Sequence, residues 1–283
     1  MNYHVITIFP DMLSSYFAES IMASAIKNKI INIKTYALRE YTDDKHRRVD
    51  GIPYGGGPGM VMWVDPIVRC VEKIKSDIEK KYEKELKSYE LKKEKYSDKT
   101  NLKNKVKLDY LKKIEAPKIL FVHFDTASPK FTTQTAKDIS INYTDIIFIC
   151  GRYEGIDARV NEIYPGLNIS IGDYVLTGGE LPAMVCIDSI SRQIEGVLNK
   201  SESLEENRIS ASKVYARPEI YEYKTKVKVE TKKLENKNEA LDINKKEVKA
   251  RIKTEKKIVE YAVPKVLLSG NHKEIDKWRS ENR

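Results

Sequence analysis

Two glycine-marked segments, each placed behind a short apolar run, constrain this chain more than any other feature. The first is Cys150-Gly151-Arg152-Tyr153-Glu154-Gly155-Ile156-Asp157, behind Ile146-Ile147-Phe148-Ile149. The second is Ile171-Gly172-Asp173-Tyr174-Val175-Leu176-Thr177-Gly178-Gly179-Glu180-Leu181-Pro182, fed by a strand-like stretch over 167–171. Loops at the carboxyl ends of strands in an open α/β sheet are where ligands bind. Two such loops about twenty residues apart predict one ligand held largely by backbone.

The surrounding pattern agrees with an α/β fold. Residues 3–9 alternate as a strand, and Asp11 can cap a helix through about Lys27. Strands are expected over 30–36, 119–124 and 146–150, and helices over 64–76, 133–141 and 182–193. Continuous apolar strands alternating with helices argue for a mostly parallel sheet. The tail reads as a short strand from Val263, a turn at 269–272 and a helix over 274–278.

Charge adds less than it first promises. The net charge is +9. Residues 73–115 hold 15 Lys against 9 acidic residues, and residues 222–262 hold 13 Lys+Arg against 8. The rest of the chain is therefore slightly acidic. Lysine and glutamate enrichment reads first as solvated helical surface. Stripes at Ile74, Ile78, Tyr82, Leu86 and Tyr89, and at Leu102, Val106, Tyr110 and Ile114, give the first segment the form of a projecting helical hairpin. No apolar run approaches the length of a membrane span. The N-terminus reads as a strand and not a signal peptide. The three cysteines build neither a disulfide framework nor a zinc spacing, which predicts a reduced, cytoplasmic protein.

Tyr54-Gly55-Gly56-Gly57-Pro58-Gly59-Met60 can cradle a phosphate through backbone N–H groups, or it can be a structural turn. It is neither a P-loop nor a dinucleotide fingerprint. Before it, Asp43-Asp44-Lys45-His46-Arg47-Arg48-Val49-Asp50 suits a phosphate backbone, a carboxylate relay or a solvated loop. Arg192, close behind the second glycine segment, can orient an anion or oxyanion, or simply end a helix.

Phe9-Pro10, Asp44-Lys45-His46-Arg47, Asp50, the 53–60 glycine run, both glycine segments and Leu267-Leu268-Ser269-Gly270-Asn271-His272 occur in this order in one family. The chain resembles the bacterial tRNA (guanine-N1)-methyltransferases of the knotted SPOUT superfamily, over about 1–72, 117–220 and 263–279. The resemblance implies a methyltransferase domain over 1–198 with a deep trefoil knot in its C-terminal half, the lysine-rich helical insertion at 72–116 included. A linker or lid follows over 199–214. A small tRNA-contacting region follows over 215–283, with a charged insertion at 222–262. It also implies a homodimer, S-adenosylmethionine as methyl donor, and guanosine 37, beside the anticodon of tRNA, as target.

Carried over residue by residue, the cofactor would meet Gly151, Tyr153, Glu154, Gly155, Ile171, Gly172, Asp173, Tyr174, Val175, Leu176, Gly178, Gly179 and Pro182. The substrate would meet His46, Asp50, Gly56 and Gly57. Arg192 matches the family's catalytic arginine. Guanine N1 carries a proton, so a positioned carboxylate must remove it. The family has also been linked to Mg²⁺, although no metal-ligand spacing exists in this chain.

Three departures stand out. The family's first cofactor loop, Ser-Pro-Gln-Gly, reads Asp125-Thr126-Ala127-Ser128 here. The family's catalytic aspartate falls on Asn207, an amide, with Glu206 and Glu205 beside it; Glu206 is the expected base. The family continues past the point matching Trp278-Arg279 with helices that grip tRNA, for which 222–262 is the candidate substitute. The alternatives are a non-catalytic knotted RNA-binding relative and a related methyltransferase acting at another RNA position.

Overall fold

A computed structural model describes residues 1–96, 115–198, 212–231 and 251–282. The chain divides into two compact units, Met1–Leu204 and Glu205–Arg283.

The first unit is built on β1 (Asn2–Thr7), α1 (Ser14–Phe17), α2 (Ser20–Lys27), β2 (Asn32–Ala37), β3 (Asp50–Gly51), β4 (Val61–Met62), α3 (Val64–Lys95), β5 (Ile119–Phe124), α4 (Thr133–Asn142), β6 (Asp145–Ile149), α5 (Arg159–Ile163), β7 (Leu167–Ile169) and α6 (Glu180–Arg192). Five strands form one parallel sheet in the order β2-β1-β6-β5-β7. Every residue of β6 is buried, which explains why its sequence is a continuous apolar run and not an alternating one. Ile146 and Phe148 point into one cluster with Leu13, Ile187 and Ile190. Ile147 and Ile149 point into the other, with Ile67, Val71 and Ile74 of α3. The sheet is therefore covered on both faces, and each fully buried isoleucine contributes roughly 1.5–3 kcal/mol.

Because β6, β5 and β7 are neighbours, the loops that leave their carboxyl ends lie side by side. The sequence separation of those loops is large, but the sheet order brings them to one edge. This is the step that makes a site.

α3 begins in the 39–61 loop region's wake, with Asp65 and Pro66 in its first turn, positions both residues favour. Ile67, Cys70, Val71, Ile74 and Ile78 are buried; beyond them the helix runs on with exposed lysines and glutamates to Lys95. The expected return arm around 102–114 lies outside the described residues.

Three local readings are corrected. The expected helix over 11–27 is a 3₁₀ turn at Pro10–Leu13 followed by α1 and α2; Glu19 is extended and Ser20 takes a positive φ, which interrupts the helix. The tail expected to be a strand after Val263 is the short helix Lys265–Leu268, launched by Pro264. The charged segment at 222–262, read first as helical surface, forms strands where it is described.

The second unit contains those strands, β8 (Ile220–Thr231) and β9 (Arg251–Ala262), paired antiparallel from Ile220↔Ala262 outward. It ends in α7 (Lys265–Leu268) and α8 (His272–Glu281). Ile275 is buried, and Tyr215 lies against Trp278 at 6.2 Å between ring centroids. Among the described residues, no helix is long and apolar enough to cross a membrane.

Candidate active site

The loops after β5, β6 and β7 enclose a cleft of about 250 Å³. Of the residues expected at the cofactor, Gly151, Tyr153, Glu154, Gly155, Ile171, Gly172, Tyr174, Val175, Leu176, Gly178, Gly179 and Pro182 all line it. Asp173 does not; its carboxylate pairs with Lys130 at the rim, at 2.5 Å.

Glycine is required here for closeness more than for backbone angle. The Gly179 N–H donates to the Gly151 carbonyl at 2.9 Å, and a Cβ on Gly179 would meet the Cys150 Cα at 2.8 Å. A Cβ on Gly178 would collide with the Arg152 side chain, and one on Gly172 with the Tyr174 ring. The two glycine segments thus touch backbone to backbone. Tyr174 closes its own loop by donating its hydroxyl to the Ile171 carbonyl.

The loop after β5 also reaches the cleft, through Asp125 and Thr126. It turns without glycine. Asp125 accepts the Ala127 N–H and the Ser128 hydroxyl, both at 3.0 Å, and its own carbonyl accepts the Ser128 N–H. The Asp125 side chain is what holds this turn.

Sequence reasoning missed one pair. Arg152 Nη2 meets Glu180 Oε2 at 2.8 Å, where the Glu180 side chain is 1% exposed and the Arg152 side chain 14%. Glu180 also accepts the Thr7 hydroxyl at 2.6 Å, and the Arg152 guanidinium sits 4.8 Å from the centroid of the Phe9 ring. Both residues stand inside the quoted motifs, but nothing in linear spacing says that they meet.

The charged and glycine-rich loop lies against the first glycine segment. The Glu154 N–H donates to the Met60 carbonyl, the Met62 N–H to the Gly155 carbonyl, and the Asp157 N–H to the Met62 carbonyl, each at 3.0 Å. Gly59 has no room for a Cβ because the Glu154 side chain occupies it. Gly56 and Gly57 are exposed with positive φ. His46 is exposed, and its N–H donates to Asp44. Asp44 also takes the backbone and side chain of Arg48, which holds its carboxyl well below the ordinary range. Asp50 opens β3 opposite Met62. The dense charge that read as a phosphate or relay signal is in part the internal wiring of this turn.

Arg192 is the last residue of α6, half-buried, and has no hydrogen-bond or ion-pair partner among the described residues. Glu205, Glu206 and Asn207 lie outside the described residues.

The comparison with known proteins decides the family. The family model for tRNA (Guanine-1)-methyltransferase TrmD matches residues 1–101 and 100–258. This chain belongs to that family. A tRNA (guanine-N(1)-)-methyltransferase of Lachnoclostridium phytofermentans is 36% identical over 290 residues, covering 99% of this chain and 86% of that one. One from Clostridioides difficile is 35% identical, covering 99% and 91%. One from Clostridium botulinum strain Hall is 35% identical, covering 99% and 85%. The match over 100–258 spans both glycine segments and every residue that lines the cleft.

Proposed function

We propose that this chain transfers a methyl group from S-adenosylmethionine to N1 of guanosine 37 in tRNA. The observation that carries the reading is the cleft, where twelve of the thirteen residues expected at the cofactor meet. Gly178 and Gly179 have no room for a Cβ against the Arg152 side chain and the Cys150 backbone, so the loops that line the cleft close on each other only with glycine there.

When bound, the donor supplies an electrophilic methyl group on a sulfonium. The protein's part is to position guanine, remove the N1 proton and balance the charge that appears on O6. Arg192, with no partner among the described residues, is free to stabilise that charge. Glu206 takes the proton, because the amide of Asn207 has no workable basicity. The 44–60 loop, hydrogen-bonded to the first glycine segment at Met60, holds the nucleotide through His46, Asp50, Gly56 and Gly57 in this reading. Among the described residues no group of three or more His, Cys, Asp or Glu is arranged to hold a metal ion.

An exposed apolar surface on α6 supports completion of the site by a second copy. Leu181 and Val185, one turn apart on α6, are exposed, as are Met12 and Tyr16. Tyr16 donates to Asp188 of α6, so these side chains flank one apolar surface. A homodimer built on it completes the reading. The backbone contact between the two glycine segments supports a knotted crossing at this point. The region 215–283 serves as further tRNA surface. Three free, buried cysteines support action in the reducing cytoplasm.

The test is methyl transfer to unmodified tRNA with nucleoside analysis of the product. N1-methylguanosine at position 37 is expected, and none on a transcript carrying adenosine there. Methylation of another nucleotide would overturn the reading.

A further inference from the structure

The ribbon β8–β9 carries aromatic surface that its own unit leaves uncovered. Tyr221 and Tyr261 are direct cross-strand partners, and Tyr223 stands two residues along, opposite Val259. Successive strand residues alternate between faces, so the three tyrosines share one face, with Thr225 and Lys257 next on it. The rings are 59%, 50% and 59% exposed. Among the described residues none of the three has a hydrogen bond, ring contact or ion pair. Elsewhere in the chain, Tyr3, Tyr36 and Tyr164 are buried. Three rings side by side in water on a two-stranded ribbon are surface without a core to serve.

The charge around them chooses the partner. The 222–262 segment carries 13 Lys+Arg against 8 acidic residues; Lys257 is exposed on the face of the rings, while Glu222, Lys224 and Glu260 lie on the opposite face. A row of aromatic rings ending at a cation suits unpaired bases and their phosphates, because every base offers a π-face and every linkage a negative charge. Tyr221 and Tyr223 are about 6.6 Å apart along the strand, a spacing an unstacked RNA strand can follow and a duplex, whose base faces are already covered, cannot.

We propose that Tyr221, Tyr223 and Tyr261 form a stacking platform for the unpaired bases of a tRNA loop, with Lys257, on the same face, on a flanking phosphate. The platform rests on the reading of tRNA as substrate and gives that reading a second contact surface outside the catalytic cleft.

The experiment measures dissociation constants of the full chain for a fluorescent tRNA stem-loop and for a fully paired RNA duplex of equal length. Replacing Tyr221, Tyr223 and Tyr261 together by Ala should weaken stem-loop binding at least about tenfold, with duplex binding and S-adenosylmethionine affinity unchanged. The triple Phe variant should bind as the wild type does. Unchanged stem-loop affinity in the Ala variant overturns the proposal, and so does an equal loss on the duplex. A fall in particle mass by light scattering with RNA binding intact overturns it in favour of a contact between copies. Binding is read directly, so a wild type that binds the stem-loop but methylates nothing sinks the catalytic reading alone.

Discussion

Arg152 and Glu180 join the two glycine segments through a buried ion pair at 2.8 Å, one residue from each. Arg152 lines the cleft, and Glu180 holds it from the buried side. Thr7 at the end of β1 and the Phe9 ring complete its surroundings. The two glycine segments are thus tied both by this charge pair and by the Gly179–Gly151 hydrogen bond.

Arg152→Met should therefore cost about 3–5 kcal/mol, because it strands a buried carboxylate. Thermal unfolding should move down by about 10 °C. Arg152→Met with Glu180→Met should recover much of the loss, since neither charge is then left alone. A double variant no more stable than the single one would show that the pair does not act as a unit.

The glycines divide into two kinds, and substitution should separate them. Gly179→Ala forces a Cβ onto the Cys150 backbone and should abolish saturable S-adenosylmethionine binding in calorimetry. Gly56→Ala meets no atom within 4 Å but must hold a positive φ, at a cost of roughly 1–2 kcal/mol. It should leave cofactor affinity intact and raise KM for tRNA.

For the chemical step, Glu206→Gln should lower kcat on the order of 10²–10⁴-fold, and Asn207→Asp should be neutral or activating. Arg192→Ala should lower kcat with little change in cofactor affinity, because its charge is needed mainly as O6 becomes negative. Full activity in Glu206→Gln would move the base to Glu205 or Asp50. Transfer by Asn207→Asp but not by the wild type would make the chain a non-catalytic relative.

The cysteines should be silent in the native protein. Burial pushes the Cys70 thiol up to about 12 and lifts Cys150 and Cys186 as well. Thiolate is the reactive form, so at pH 8 a thiol-reactive dye should label none of the three until the protein is unfolded. Labelling of Cys150 in the folded state would mean that the first glycine loop opens.

Much of this was legible in the sequence, for physical reasons. Ile146–Ile149 reads as a strand because burial on both faces leaves no polar position to disguise it. The glycine segments read as loops at strand ends, and they are, because their close mutual approach excludes side chains at Gly178 and Gly179. The break between α1 and α2 was not legible, since apolar spacing of four continues across Ser20 while the backbone does not. The ribbon was misread for a different reason. Tyr221, Tyr223, Val227 and Val229 do alternate, but lysine and glutamate content outweighed period. The pairing of Arg152 with Glu180 depends on two loops meeting in space, and linear order carries no trace of it.

The ribbon enters and leaves the fold at a single point. Ile220 pairs with Ala262, and the Val263 N–H donates to the Glu219 carbonyl at 2.8 Å. A segment whose two ends are neighbours can lengthen, shorten or be exchanged without moving what lies on either side. That geometry makes the arm a module in the evolutionary sense, open to drift in length and sequence while the cleft stays under constraint. It also gives the engineer a place to graft a different RNA-reading hairpin onto an unchanged catalytic body.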